Sequence, residues 1–312
     1  MKKTRTAEPE PTTKSRLGAG AKAALALPLA VSMIPAVTTA IRSGSSATKP
    51  PAGVTAKAAK GALAFKPGCQ LPFKKIKTDG LNIDAVCTNV GNAKDEKDQL
   101  EFMAKNNFCA DGDPIVITYE DLKALQTAVD DKGLRANLKT SRKDLLGNIL
   151  TGKPKLGEGA LVQLVTFAKD ARNSNPGAGE KVNCNLPSKE ENDIHIELMN
   201  ESDEEDPCKS VTAEMSPHFR PEEWQAIVKL SKKLTRPVRI TGSLFFDNSH
   251  QPCRGDKRPN PKRISVWEIH PVYQFEICNV KTTDLSKCDV NKNDLWVPLE
   301  EWDSAENDEE PN

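Results

Sequence analysis

Eight cysteines constrain this chain more than any other feature: Cys69, Cys87, Cys109, Cys184, Cys208, Cys253, Cys278 and Cys288. Their number is even, and all follow an amino-terminal stretch that is first basic and then apolar. In an exported chain such a set predicts disulfides, chosen from the 105 connectivities that eight cysteines allow. No C-x-x-C spacing occurs, so neither a thioredoxin-type redox pair nor a zinc knuckle is indicated. Cys278 and Cys288 bracket a polar turn and are the first expected pair. Cys69 with Cys87 or Cys109 is the next.

The leader supports the exported reading. Residues 1–22 carry Lys2, Lys3, Arg5, Lys14, Arg16 and Lys22 against Glu8 and Glu10, and residues 23–41 are uncharged. A positive start, an apolar middle and a small-residue end at Thr38-Thr39-Ala40 are the parts of a secretory signal. The uncharged run also approaches the roughly 20 residues that span a bilayer. Residues 1–42 are therefore expected to be a signal peptide or an amino-terminal membrane anchor, with the cleaved signal favoured. Residues 43–68, rich in Ala, Lys, Pro, Gly and Ser, read as a flexible basic tether. The tether could rest on an anionic cell-envelope surface. The expected location is periplasmic or extracellular.

Charge is divided along the chain. Lysine plus arginine equals aspartate plus glutamate at 44 each, yet residues 1–66 hold 11 basic and 2 acidic side chains. The neutral total thus hides a basic leader on an acidic body.

The body, residues 69–290, reads as one composite domain followed by an acidic tail over 291–312. Its first part, 69–150, is helical in pattern. One helix is expected over Asp95 to Asn107, with Leu100, Phe102 and Met103 among charges. A second follows Thr118, which with Asp121 forms a capping signal ahead of Leu122, Leu125 and Val129. A third, short helix is expected over Arg142 to Leu150.

Residues 156–290 read as strands: 161–167, 193–199, 210–215, 237–246 and 263–277, the last broken at Pro271, with a helix over 221–234. The segment 193–199 alternates strictly, setting Ile194, Ile196 and Leu198 against Asp193, His195 and Glu197. Glu180–Leu186 is expected to be a further strand or hairpin arm. Three strands, a helix and two strands is the order of an OB-like small β-barrel, and the fold class is α+β. Such barrels bind ligands on the face of their second and third strands and in the loops beside it.

Several runs carry a resemblance. These are Ala104 to Cys109, Asn183-Cys184, Asp193 to Leu198, Glu214 to Pro217, Gly242 to Asp247 with His250, and Trp267 to Val272. Together, over roughly residues 80–278, they resemble a group of uncharacterised bacterial exported proteins. The resemblance implies one composite domain and transfers no activity.

Four histidines exist, His195, His218, His250 and His270, all within the strand region and each near acids. If the second and fifth strands approach, His195, His250 and His270 could converge with Asp193 or Glu268. Neutral imidazoles plus carboxylates suit zinc or another divalent transition metal, which could activate water for hydrolysis. No H-x-x-x-H or H-E-x-x-H spacing adds support, so structural histidines are the favoured reading. Arg254, Lys257 and Arg258 form a basic loop between the last two strands, a usual polyanion contact in such barrels. The acidic body and scarce aromatics argue against nucleic acid.

The expectation is thus an exported, non-catalytic binding or envelope-associated protein with no cofactor. Its ligand would lie over the exposed face holding Asp193, His195 and Glu197 and on Arg254, Lys257 and Arg258. The alternative is a metal-dependent hydrolase using His195, His250, His270, Asp193 and Glu268. A weaker alternative is polyanion or nucleic-acid binding through residues 247–262.

Overall fold

Five strands close on themselves. In the computed structural model, which describes Phe65 and residues 82–134, 142, 149–150 and 156–303, these are β2 (Leu161–Asn173), β3 (Ile194–Met199), β4 (Val211–Met215), β5 (Val238–Phe246) and β6 (Trp267–Cys278). The neighbour order is β2-β3-β4-β6-β5, and β5 returns to β2. All contacts in this ring are antiparallel except β4 with β6, which run parallel. Two short strands extend it: β1 (Ile115–Ile117) runs parallel to β2, and β7 (Trp296–Pro298) antiparallel to β6. All described residues belong to one unit, Ala56–Asn312. The leader, most of the tether, Cys69, most of the helix expected at 142–150 and the end of the acidic tail lie outside the described residues.

The inner face follows from the period of two. Ile194, Ile196 and Leu198 of β3 point inward with Val211, Ala213 and Met215 of β4 and with Trp267 and Ile269 of β6. Burying a large apolar side chain contributes roughly 1.5–3 kcal/mol, so this shared cluster is the main driving force for closure. A helix, α2 (Tyr119–Asp131), adds Leu122, Leu125 and Val129 to the cluster. Thr118 and Asp121 form the expected capping box at its start. Trp224 and Ile227 enter the same cluster from the β4–β5 connection. That connection was expected to be one helix over 221–234. It is a 3-10 turn (Glu222–Ala226) running into a four-residue helix, α3 (Ile227–Leu230).

Other expectations are corrected too. β6 is not broken at Pro271: it continues through a cis His270–Pro271 peptide, with register shifts against β5 around Gly242. Gly242 must lack a side chain there, since a Cβ would lie 2.4 Å from the Pro271 carbonyl oxygen. Residues 180–186 form turns, not a strand, with Cys184 and Asn185 in the left-handed region. Residues 291–303, placed in the tail, include β7 and bury Trp296 and Leu299. Phe65, placed in the tether, is buried on Phe108 and stacks on His218 with ring centroids 4.0 Å apart.

Disulfides staple the connections. Cys278 bonds Cys288, Cys208 bonds Cys253, and Cys87 bonds Cys184, which excludes a Cys69–Cys87 pair; Cys109 is disulfide-bonded as well. Such bonds fit an oxidising environment. No helix among the described residues is long and apolar enough to cross a membrane.

Candidate functional site

The same alternation that fills the barrel sends the opposite set of side chains outward. On β3 and β4, His195 and Glu214 are direct cross-strand partners, so they share the outer face. The parallel register Thr212 to Glu268 brings the outer face of β6 beside them. Glu214, His195, Glu268 and His270 therefore stand together, although 75 residues separate His195 from His270.

Around Glu214, Glu268 and His270 this face is covered. Helix α1 (Glu96–Lys105), started by Asp95 as N-cap, turns Glu101 and Lys105 toward the barrel and leaves Leu100 and Met103 in solvent. The β2–β3 connection adds Glu180, Asn183 and Asp193. Asp193, Glu268 and His270 are each 1% exposed and Glu214 2%, so the ligand surface expected at Asp193 and His195 is largely covered. The reason is that alternation sorts side chains by polarity and carries no information about what lies over each face.

Glu214 is the hub. Its Oε1 lies 3.1 Å from His195 Nε2; its Oε2 lies 2.9 Å from His270 Nδ1 and 3.8 Å from Lys105 Nζ. His270 Nε2 faces Asp193 Oδ2 at 3.7 Å, and His195 Nε2 faces Glu180 Oε1 at 3.9 Å. Asn183 donates to Asp193 Oδ1 at 3.1 Å. Arg263 bridges Glu268 and Asp247, and Asp247 in turn accepts from His250 at 2.7 Å. His250 thus sits at the exposed end of the network, away from His195 and His270, and does not join the cluster expected for it. His218 is separate as well, paired with Asp84 at 2.5 Å.

Five carboxylates (Glu180, Asp193, Glu214, Asp247, Glu268) face the fixed cations Lys105 and Arg263, with buried Arg220 near Asp193 and Glu180, and the histidines add further positive charge. Burial opposes protonation of His270, but Glu214, Glu268 and Asp193 outweigh it and hold its pKa up to about 10. His195 is raised in the same way: burial lowers it, and Glu214 and Glu180 more than compensate. Burial would raise Glu214, yet His195, Lys105 and His270 hold it well below the usual range. Asp193 moves the other way, pushed up to about 6 by burial and by Glu180.

Several atoms here are close without being aligned. Asp193 Oδ2, Glu214 Oε2, His195 Nε2 and both ring nitrogens of His270 are buried and make no hydrogen bond. The 2.9 Å approach of His270 to Glu214 is a charge contact out of line for one. Glu214, Lys105 and Glu180 were missed by sequence reasoning. A glutamate inside the apolar strand VTAEM was the available signal for the first.

The basic loop is engaged elsewhere. Arg254 pairs with Asp130, and Arg258 with Asp206 at 2.8 Å, while these two and Lys257 all stay exposed to solvent. Beside the loop's end, a shallow cleft with room for about one water molecule opens on the β3–β4 outer face. Arg172, His195, Glu197, Thr212 and Lys262 line it. A second shallow groove lies at Phe219, Trp224, Tyr273 and Glu300.

No protein-family model matches the chain, and no curated protein does. Among solved structures, asparaginyl-tRNA synthetase from Entamoeba histolytica matches 43% of this chain and 24% of its own, at 15% identity and a TM-score of 0.20. The chain thus spans about a quarter of that protein, and an overlap so slight carries no argument.

Proposed function

We propose that this chain is an exported, disulfide-stapled binding module on an OB-like barrel, non-catalytic and acting at the cell envelope. The strand order, the parallel β4–β6 pair and the helical turn between β4 and β5 support the barrel class, whose ligands sit on the second and third strands. The observation that carries the reading is the cleft on that face, with Arg172 and Lys262 exposed beside His195 and Glu197. Two cations over hydrogen-bonding side chains fit an anionic group on a polar ligand such as an acidic oligosaccharide. The basic tether would hold the module against the anionic surface that presents it.

The hydrolase reading has less support. Asp193, Glu268 and His270 are shut from solvent and His250 stands apart from them, whereas hydrolysis needs substrate and water at the same atoms. Polyanion binding by residues 247–262 is weakened by the ion pairs that engage Arg254 and Arg258.

Titration of the isotope-labelled chain with uronate oligosaccharides and, separately, oligothymidylate, read by amide NMR, tests the reading. Shifts centred on Arg172, Glu197, Thr212 and Lys262, lost in Arg172→Glu plus Lys262→Glu, are the expected result. Shifts confined to Arg254–Arg258 with steep salt dependence would move the site to the loop and overturn it.

A further inference from the structure

We propose that Asp193, Glu214 and His270 hold one divalent first-row transition metal ion. The ion would be structural, locking the outer face of β3, β4 and β6. The site is independent of whatever occupies the cleft.

Two observations converge. One oxygen of Asp193, one of Glu214 and one ring nitrogen of His270 all lie within 4.8 Å of one another. Zinc holds such donors at about 2.0–2.2 Å, which spaces them roughly 3.4 Å apart, so closure needs side-chain rotation of about an ångström. Independently, Asp193 Oδ2, Glu214 Oε2 and both ring nitrogens of His270 are buried yet make no hydrogen bond. Buried polar atoms are nearly always satisfied, and orphaned ones grouped on one point mark a missing partner. A divalent cation can be that partner: Asp193 Oδ2 and Glu214 Oε2 carry lone pairs, and His270 offers one ring nitrogen once it releases a proton on binding.

The chemistry of the set narrows the ion. Two carboxylates match the charge of a divalent cation, and imidazole nitrogen selects zinc, manganese, iron or cobalt over calcium or magnesium. The donors already have the outer contacts that orient metal ligands. Asn183 fixes the other oxygen of Asp193, His195 stands 3.1 Å from the other oxygen of Glu214, and the Phe245 ring packs edge-on to His270. Asp193, Glu214 and His270 are nine-tenths or more buried, so no position is left for substrate. The ion would enter as the chain folds.

The test uses the full chain, exported and without a histidine tag, stripped with chelator and dialysed against zinc. About one equivalent of zinc is expected by elemental analysis, falling below about 0.1 in Glu214→Gln and in His270→Gln, while His250→Gln keeps it. Should the variants misfold, wild-type protein decides alone: cobalt loading should give visible ligand-field bands with unit stoichiometry, and zinc should raise Tm. Folded wild-type protein that takes up no zinc, manganese, iron or cobalt would overturn the site. Zinc retained by folded Glu214→Gln plus His270→Gln would do the same, since the metal would then lie elsewhere.

Discussion

Strands β3, β4 and β6 have two faces built on opposite chemistry, and at Glu214, Glu268 and His270 the outer one is as buried as the inner. Inward, Ile196, Ala213 and Trp267 pack in an apolar cluster that any similar volume could fill. Outward, His195, Glu214 and His270 form a charged layer under α1 and the β2–β3 connection. The inner face is held by volume and the outer by charge balance. Dispersion and transfer energies tolerate repacking, whereas a buried ionic layer tolerates the loss of no single member.

That contrast predicts similar costs from different causes. Trp267→Ala should cost about 3–5 kcal/mol through the cavity it leaves. Glu214→Gln, which keeps the volume, should also cost about 3–5 kcal/mol by stranding His195, His270 and Lys105. Urea unfolding with chelator present isolates the protein's own contribution. A Glu214→Gln loss under about 1 kcal/mol would break the comparison and make the outer face an ordinary polar surface.

The disulfides sharpen it next. Cys87–Cys184 closes 97 residues and ties the segment ahead of α1 to the connection that covers the outer face. Cys278–Cys288 closes 10, at the end of β6. On loop closure alone the first should contribute about 2 kcal/mol more than the second. Paired alanine replacements and thermal unfolding measure the difference. Equal losses would mean that the cover over the ionic layer is held by its contacts and not by the staple.

What could be read beforehand follows the same division. Local period gave β3 and its two faces, because Asp193 to Leu198 alternates without interruption. Capping chemistry gave α2, because Thr118 and Asp121 are only three residues apart. The site was half legible: His195, His270, Asp193 and Glu268 were candidates by type, and β4 meeting β6 in parallel brought them together. Glu214 could not be ranked, since its role arises from registers with His195 and with β6 that lie far off in sequence. His250 looked equivalent to the other histidines, but Arg263 shares its Asp247 and holds it at the network's edge.

That edge gives a smaller, pH-dependent effect. Asp247 hydrogen-bonds His250 and raises its pKa against burial and Arg263, with Glu268 adding a little. A raised histidine contributes stability that is complete below its unfolded value near 6.5 and fades as pH rises through the folded one. Asp247 is lowered, because His250 and Arg263 overcome its burial, so its contribution holds above about pH 4 and is lost in acid. The pair is therefore strongest between about pH 4 and 6.5. Because His250 is partly exposed, solvent screening limits its share to about 0.5–1 kcal/mol. His250→Gln should flatten the decline in stability between pH 6.5 and 9 by that amount. An unchanged slope would place the alkaline titration in the buried part of the network.

The smallest expected effect comes from α1 and bears most directly on how the outer face is covered. An amphipathic reading of this helix would bury Leu100 and Met103, but Met103 is 54% exposed while Lys105 is buried against Glu214. A helix docks the side that complements what it meets, and here it meets carboxylates. Met103→Lys should therefore change stability by no more than about 0.5 kcal/mol, whereas Lys105→Ala should cost at least about 2 kcal/mol by leaving Glu214 short of a cation. If instead Met103→Lys destabilises and Lys105→Ala does not, α1 packs through its apolar side and the ionic layer is open to water.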